Sequence, residues 1–200
     1  MMKKFLTVGL AVLALLGSGC IFSRNDYVEN AEFDLELPKR QRGTLRIGVF
    51  KNLSGSDRRF LVRGGDGQVM PMEYQRWRLS PELLLQRCIY GAFEVKADNA
   101  AKTPRLNAVI YRFEFDKHDN KAHLAVDFMI PDFRAPASAA PAHEHDQAHP
   151  YPLTVNCDVA VPVGKGGDLS AARAAAMSEC ARLAVEKLSA AMNEKRAKAK

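Results

Sequence analysis

Three histidines stand close together in the segment APAHEHDQAH, at His143, His145 and His149, with two acidic residues between them. Neutral imidazole nitrogens and carboxylate oxygens are suitable ligands for zinc and other divalent ions. The flanking residues are rich in proline and alanine, however, whereas a metal site needs rigid partners that orient its ligands. We therefore interpret the segment as a solvated loop, with a metal site at the three histidines as the alternative.

Three of the four cysteines, Cys88, Cys157 and Cys180, fall on apolar faces of predicted elements. In an oxidising compartment Cys88 could pair with Cys180 if two predicted helices lie side by side, although spacing does not fix the connectivity. No Cys-His or Ser-His-Asp arrangement can be assembled, because His118 falls in a predicted turn and His123 on the solvent face of its strand. The sequence therefore predicts neither an enzyme nor a cofactor.

The fourth cysteine, Cys20, follows a segment typical of protein export. The sequence MMKKFLTVGLAVLALLGSGC has a basic start, an apolar core and small residues directly before the cysteine. It resembles a bacterial lipoprotein signal, in which the cysteine is lipidated and becomes the mature N-terminus, although Gly17 stands where leucine is usual. An ordinary secretory signal with a chance cysteine is the alternative.

Lipidation would hold the protein on a membrane, because acyl chains such as palmitate contribute about 0.8 kcal/mol per buried methylene. Ile21 and Phe22 follow the cysteine, in place of the aspartate that resembles an inner-membrane retention signal. We therefore expect a lipid anchor in the outer membrane, with the protein on the periplasmic face.

The net charge of +6 does not form a basic domain surface. Of the 29 basic residues, two lie in the export segment and four in the last six residues, which leaves 23 basic against 23 acidic residues in the body. Nucleic-acid binding usually leaves a basic stripe across a domain. We therefore expect no nucleic-acid partner.

Alternating apolar residues predict most of the elements. AEFDLELP and TLRIGVF are typical of strands, and RRFLVRGGDGQVMPM predicts a hairpin with a glycine-rich turn. RLNAVIYRFEFD places Val109, Tyr111, Phe113 and Phe115 on one face, HDN predicts a turn, and KAHLAVDFMI and YPLTVNCDVAVP continue as antiparallel strands.

Two segments have helical spacing. Ser80 and Pro81 predict the start of the first helix and Ser170 that of the second. Each helix has an apolar stripe at three- and four-residue spacing, namely Leu84, Leu85, Cys88, Ile89 and Ala92 in the first and Met177, Cys180, Ala184, Leu188 and Met192 in the second. Both stripes need a sheet to cover.

These elements predict an α+β single domain, in which two helices pack on one face of a mainly antiparallel sheet. The expected organisation is a signal peptide over 1–19, a tether over 20–30, the domain over 31–192 with a flexible Pro/Ala/His loop over 131–150, and a basic tail over 193–200. Short strands at the sheet edges could also mediate a homo-oligomer.

The chain resembles the ABC-type transport auxiliary lipoproteins, which include the paraquat-inducible protein C-like lipoproteins. The matching features are the lipidated N-terminus, FDLEL, RFLVR, EYQRW before a helix with Pro81 and Leu84, the LNAVIYRFEF to AVDFMI hairpin and the closing helix. The segment WRLSP departs from the family by delaying the proline, and the loop 131–150 looks like an addition.

The resemblance implies an accessory component of an envelope-spanning lipid transport system of the ABC type. Such a protein would dock a mammalian-cell-entry (MCE) domain protein at the outer membrane. The expected docking surface comprises residue types that dominate interfaces, at Arg59, Phe60, Tyr74, Arg76 and Trp77. The alternative for Trp77 is a place in the core at the strand-to-helix junction.

Two further functions remain open from the sequence. One is a structural envelope lipoprotein that helps to assemble an outer-membrane complex. The other is a metal-binding lipoprotein that acts through the histidine loop.

Overall fold

The segments of alternating apolar residues form strands, and the segments of helical spacing form helices. The structure is a computed structural model that describes residues 29–97, 103–130, 151–162 and 168–198. The strands are β1 (Ala31–Phe33), β2 (Thr44–Asn52), β3 (Arg59–Arg63), β4 (Val69–Trp77), β5 (Glu94–Val95), β6 (Arg105–Asp116), β7 (Lys121–Ile130) and β8 (Tyr151–Ala160). The helices are α1 (Pro81–Ala92) and α2 (Leu169–Lys198).

All these strands join one mixed sheet, which confirms the α+β class but corrects the expected mainly antiparallel pairing. The strands β6, β7 and β8 are antiparallel neighbours, as predicted. On the other side of β6, both β2 and β3 run parallel to it, with β4 antiparallel to β3 and β1 parallel to β4. Between β2 and β6 the chain passes through β3, β4, α1 and β5, a connection long enough to return β6 parallel to β2.

The helices pack on a common face of this sheet and against each other. The first contacts β2 and β6, and the second contacts β7 and β8. Both predicted apolar stripes are buried in the core, where a fully buried large apolar side chain contributes about 1.5–3 kcal/mol. The helix-covered face is called the inner face below, and the opposite face the outer face.

A register shift in β6 corrects the predicted face of two residues. The pairing with β7 skips one position at Tyr111, so that this residue has no partner across the strand pair. As a result Phe113 and Phe115 are buried in the core, whereas Val109 and Tyr111 lie on the outer face. The simple alternation had placed all four residues together.

The second helix begins and ends differently from the prediction. Asp168, not Ser170, accepts the capping hydrogen bond, from the backbone N–H of Ser170 at 2.8 Å. At the other end, the helix continues through most of the expected basic tail, to Lys198. Arg196 donates a hydrogen bond to the carbonyl of Thr44 at 3.0 Å and thereby ties this helix end to β2.

The three cysteines of the domain are free and buried, so the expected Cys88–Cys180 disulfide is not formed. The thiol of Cys180 points at the sheet, 3.5 Å from the carbonyl oxygens of Ala122 and Cys157, and not at the first helix. Burial raises the pKa of both Cys88 and Cys180 to about 12. These groups are therefore protonated thiols that pack as small apolar side chains.

Candidate docking surface

A cluster of aromatic rings fills the core beneath β3 and β4. The ring of Phe60 lies 4.3 Å from that of Trp77 and 5.2 Å from that of Phe115, and Trp77 meets Phe113 edge-on at 5.2 Å. Phe33 of β1 adds a further ring, 5.1 Å from Phe60. Offset and edge-on pairs of this kind contribute about 0.5–1.5 kcal/mol each beyond area burial. The cluster makes a rigid base for the strands above it.

Two residues expected in the docking surface belong to this cluster. Trp77 and Phe60 are both 0% exposed, so neither offers surface to a partner, and the alternative place of Trp77 in the core is the correct one. The backbone of Trp77 also forms two hydrogen bonds with Arg58. The N–H of Trp77 donates to the carbonyl of Arg58 at 2.5 Å, and the guanidinium of Arg58 donates to the carbonyl of Trp77 at 3.1 Å. The tryptophan thus fixes the junction between β4 and the first helix.

The other three predicted residues are exposed. Arg59 and Arg76 occupy directly opposite positions on β3 and β4, and alternation along each strand places both on the outer face, because their neighbours Phe60 and Trp77 point inward. Tyr74 lies two residues before Arg76 and is 39% exposed. We call Arg59, Tyr74 and Arg76 the arginine surface.

Acidic residues neutralise only part of the charge at the arginine surface. Arg59 pairs with Asp57 at 3.3 Å, and the adjacent Arg58 pairs with Glu32 of β1 at 2.9 Å. Hydrogen bonds from the backbone N–H groups of Arg59 and Arg58 lower the pKa of Asp57 to about 2, so its charge persists at neutral pH. Glu32 also stands directly opposite Arg76, on β1, although no ion pair is found for Arg76 within the described part of the chain.

This arrangement has an electrostatic cost in the free protein. Like charges directly opposite each other on neighbouring strands destabilise the strand pair. An acidic group from a second molecule would reduce the cost and could form paired hydrogen bonds with a guanidinium. The arginine surface is therefore suited to an acidic partner, and Tyr74 adds contact area at the rim of this surface.

A second group of polar residues crosses the outer face and was not found from the sequence. Glu114 is buried and accepts hydrogen bonds from Arg63 at 2.9 Å and from Arg112 at 2.8 Å. Its direct neighbour on β7 is His123, which is also buried, although the sequence predicted a solvated position. Arg112 and Glu114 are two residues apart on one strand, but Arg63 comes from a distant strand and is brought to them only by the fold.

Several predicted residues lie outside the described part of the chain. They are the lipidation residue Cys20 and the three histidines of the loop, His143, His145 and His149. In the portion that is described, neither helix is both long and apolar enough to cross a bilayer.

Comparison with known proteins identifies the fold. No family model and no curated protein matches the chain. A solved structure from Xanthomonas campestris, described as a protein of the family DUF330, matches with a TM-score of 0.57 at 15% identity, over 84% of this chain and 98% of that one. A second, described as an uncharacterized protein, matches with a TM-score of 0.53 at 12% identity, over 79% and 98%. At these identities, the chain shares the fold of a DUF330 protein.

Proposed function

We propose that the protein is a lipid-anchored periplasmic lipoprotein that serves an envelope-spanning lipid transport system of the ABC type. It would dock the MCE-domain protein of that system at the outer membrane through the arginine surface. The observation that carries the proposal is the pair of exposed arginines, Arg59 and Arg76, opposite each other on a rigid aromatic base.

The proposed role separates anchoring from recognition. Acyl chains on Cys20 would hold the domain at the membrane, and the stretch 21–30 would connect the anchor to β1. Because β1 pairs with β4 at Arg76 and Trp77, the tether enters the fold beside the arginine surface. A partner that reaches across the periplasm would thus meet the domain close to its point of attachment.

The recognition step rests on charge and pre-organisation. The guanidinium groups stand next to Phe60 and Trp77, which are packed into the core, so little backbone freedom is lost at these two positions on binding. Long-range attraction between this surface and an acidic partner would increase the association rate and weaken with added salt. Tyr74 supplies contact area with few rotatable bonds.

The test is a pull-down of the full-length lipidated protein from its native membranes, with mass spectrometry of the recovered partners. Arg76→Glu reverses the charge in the arginine surface, and Arg42→Glu, at an exposed arginine outside this surface, is the matched control. We expect wild type and the control to recover an MCE-domain protein, and Arg76→Glu to recover at least tenfold less. Equal recovery by both variants, or no MCE-domain protein with wild type, would contradict the proposal.

The anchor is tested separately by Cys20→Ser, which removes the lipidated sulfur. We expect this variant to be lost from the outer-membrane fraction, because the acyl chains would hold the protein there. Retention of the variant in the outer-membrane fraction would show that another part of the chain holds it there.

A further inference from the structure

His123 of β7 is a buried imidazole that has a carboxylate at each ring nitrogen. Its side chain is 8% exposed, and Nδ1 lies 2.6 Å from Oδ1 of Asp158, the residue directly opposite on β8. On the other side, Nε2 lies 3.3 Å from Oδ1 of Asp119, in the turn that precedes β7. Buried ionisable groups of this kind need partners for every polar atom.

The two carboxylates cannot both be satisfied by a neutral imidazole. A neutral ring has one N–H donor and one lone pair, and only the protonated ring donates from both nitrogens. With the proton on Nδ1 toward Asp158, the lone pair of Nε2 faces the oxygens of Asp119. A cation between Nε2 and Asp119 converts this repulsion into coordination.

Asp116, the last residue of β6, completes the group. The ligand atoms of Asp116, Asp119 and His123 all lie within 4.8 Å of one another. Ligands about 2.1 Å from a tetrahedral zinc ion lie roughly 3.4 Å apart, close to the distance between Nε2 of His123 and Asp119. We propose that Asp116, Asp119 and Nε2 of His123 bind a divalent first-row transition metal ion, with water in the remaining positions.

The surroundings of the three ligands favour such a site. The backbone N–H of His118 donates to Asp116 at 2.7 Å and that of Lys121 donates to Asp119 at 3.1 Å, which fixes both carboxylates within the turn. Asp158 holds the tautomer of His123, as an outer carboxylate does for histidine ligands in metal sites. One imidazole with two carboxylates suits zinc or manganese better than calcium.

Two neighbouring cations compete with the metal, since Arg63 of β3 stands directly opposite Asp116 and Lys121 approaches Asp119. The ammonium of Lys121 lies 3.5 Å from Oδ2 of Asp119, and its flexible chain can move toward solvent when an ion binds.

The experiment is a zinc titration of the purified full-length protein in competition with a chromophoric chelator. The background variant carries alanine at His143, His145 and His149, so that the histidine loop cannot contribute. In this background, Asp116→Asn and Asp119→Asn remove one oxygen ligand each, and Asp158→Asn changes only the outer partner of His123. His118→Ala, an exposed histidine in the same turn, is the matched control.

We expect the background variant and the His118→Ala control to bind one zinc ion per chain with equal affinity. Asp116→Asn and Asp119→Asn should each weaken binding at least tenfold, and Asp158→Asn about tenfold. Circular dichroism and the thermal midpoint without zinc check that each variant is folded, and Asp119 is exposed enough for its substitution to be tolerated. Absence of zinc binding in the background variant, or unchanged affinity in the Asp116 and Asp119 variants, would overturn the proposal.

Discussion

The two hairpins that form most of the outer face, β3–β4 and β6–β7, place their charges in different ways. In the first, Arg59 and Arg76 stand opposite each other and are exposed. In the second, Glu114 and His123 stand opposite each other and are buried among groups of opposite charge or complementary hydrogen bonding. Both hairpins rest on the same apolar core, so the difference lies in the outward-facing residues alone.

This difference separates two uses of charge. Exposed charges that their neighbours neutralise only in part act on another molecule, because their field extends into solvent. Buried charges that are enclosed by partners act within the protein, or on an ion small enough to enter. We therefore propose partner docking for the first hairpin and ion binding for the second, and the experiments below test whether the two behave independently.

The largest effect should come from the aromatic base of the first hairpin. Trp77→Ala removes a fully buried ring and should lower the free energy of unfolding by about 3–5 kcal/mol, whereas Arg76→Ala should change it by less than about 0.5 kcal/mol. Urea unfolding of the mature chain with Cys20→Ser measures both. Similar losses for the two variants would show that the arginine is structural and would remove the distinction between surface and base.

Next in size is the loss of the enclosed carboxylate. Glu114→Gln removes the charge of a buried carboxylate that accepts hydrogen bonds from the partly exposed Arg63 and Arg112, and should cost about 1–3 kcal/mol. The matched control is Glu32→Gln, because Glu32 forms its ion pair with Arg58 at the surface, where such pairs contribute less than about 1 kcal/mol. The same unfolding measurement applies, and equal costs would contradict the proposed contrast between the hairpins.

The smallest effect concerns Asp57, which partly neutralises the arginine surface. Its pKa is lowered to about 2, so it stabilises the fold above pH 3.8, and this contribution is lost as the pH falls toward 2. Asp57→Asn should therefore be slightly less stable than wild type at neutral pH and equal to it near pH 2. At low salt the variant should bind an acidic partner a few-fold more tightly, since one negative charge is removed beside Arg59. Weaker partner binding would show that Asp57 itself contacts the partner.

Local rules predicted the elements of this fold well. The apolar stripes of both helices, the glycine-rich hairpin turn and the three antiparallel strands of the second half are all found, because periodicity reports which face is buried. The parallel pairing of β2 and β3 with β6 was missed, since it depends on where the chain returns after the first helix. A single extra residue at Tyr111 was enough to exchange the faces of β6.

The candidate sites, like the elements, were predictable only where local alternation decides which residues are exposed. The exposure of Arg59 and Arg76 was predictable from alternation along their strands. The residues next to them, Phe60 and Trp77, are buried, so residues of interface type that are adjacent in sequence are divided between the surface and the core. Alternation along β7 predicted that His123 faces solvent, because Ala122 and Leu124 on either side of it are apolar. Its contact with Asp158 depends on the register of β7 with β8, which no local pattern contains, whereas Asp119 lies only four residues before it in the turn.

The most direct test of the docking claim is site-specific photocrosslinking in intact cells. A photoreactive amino acid is placed at position 76 in the arginine surface and, as a control, at position 42 outside it. We expect a crosslink from position 76 to an MCE-domain protein, reduced by Arg59→Glu, and none from position 42. A crosslink to that partner from position 42 alone, or no MCE-domain crosslink from position 76, would contradict it.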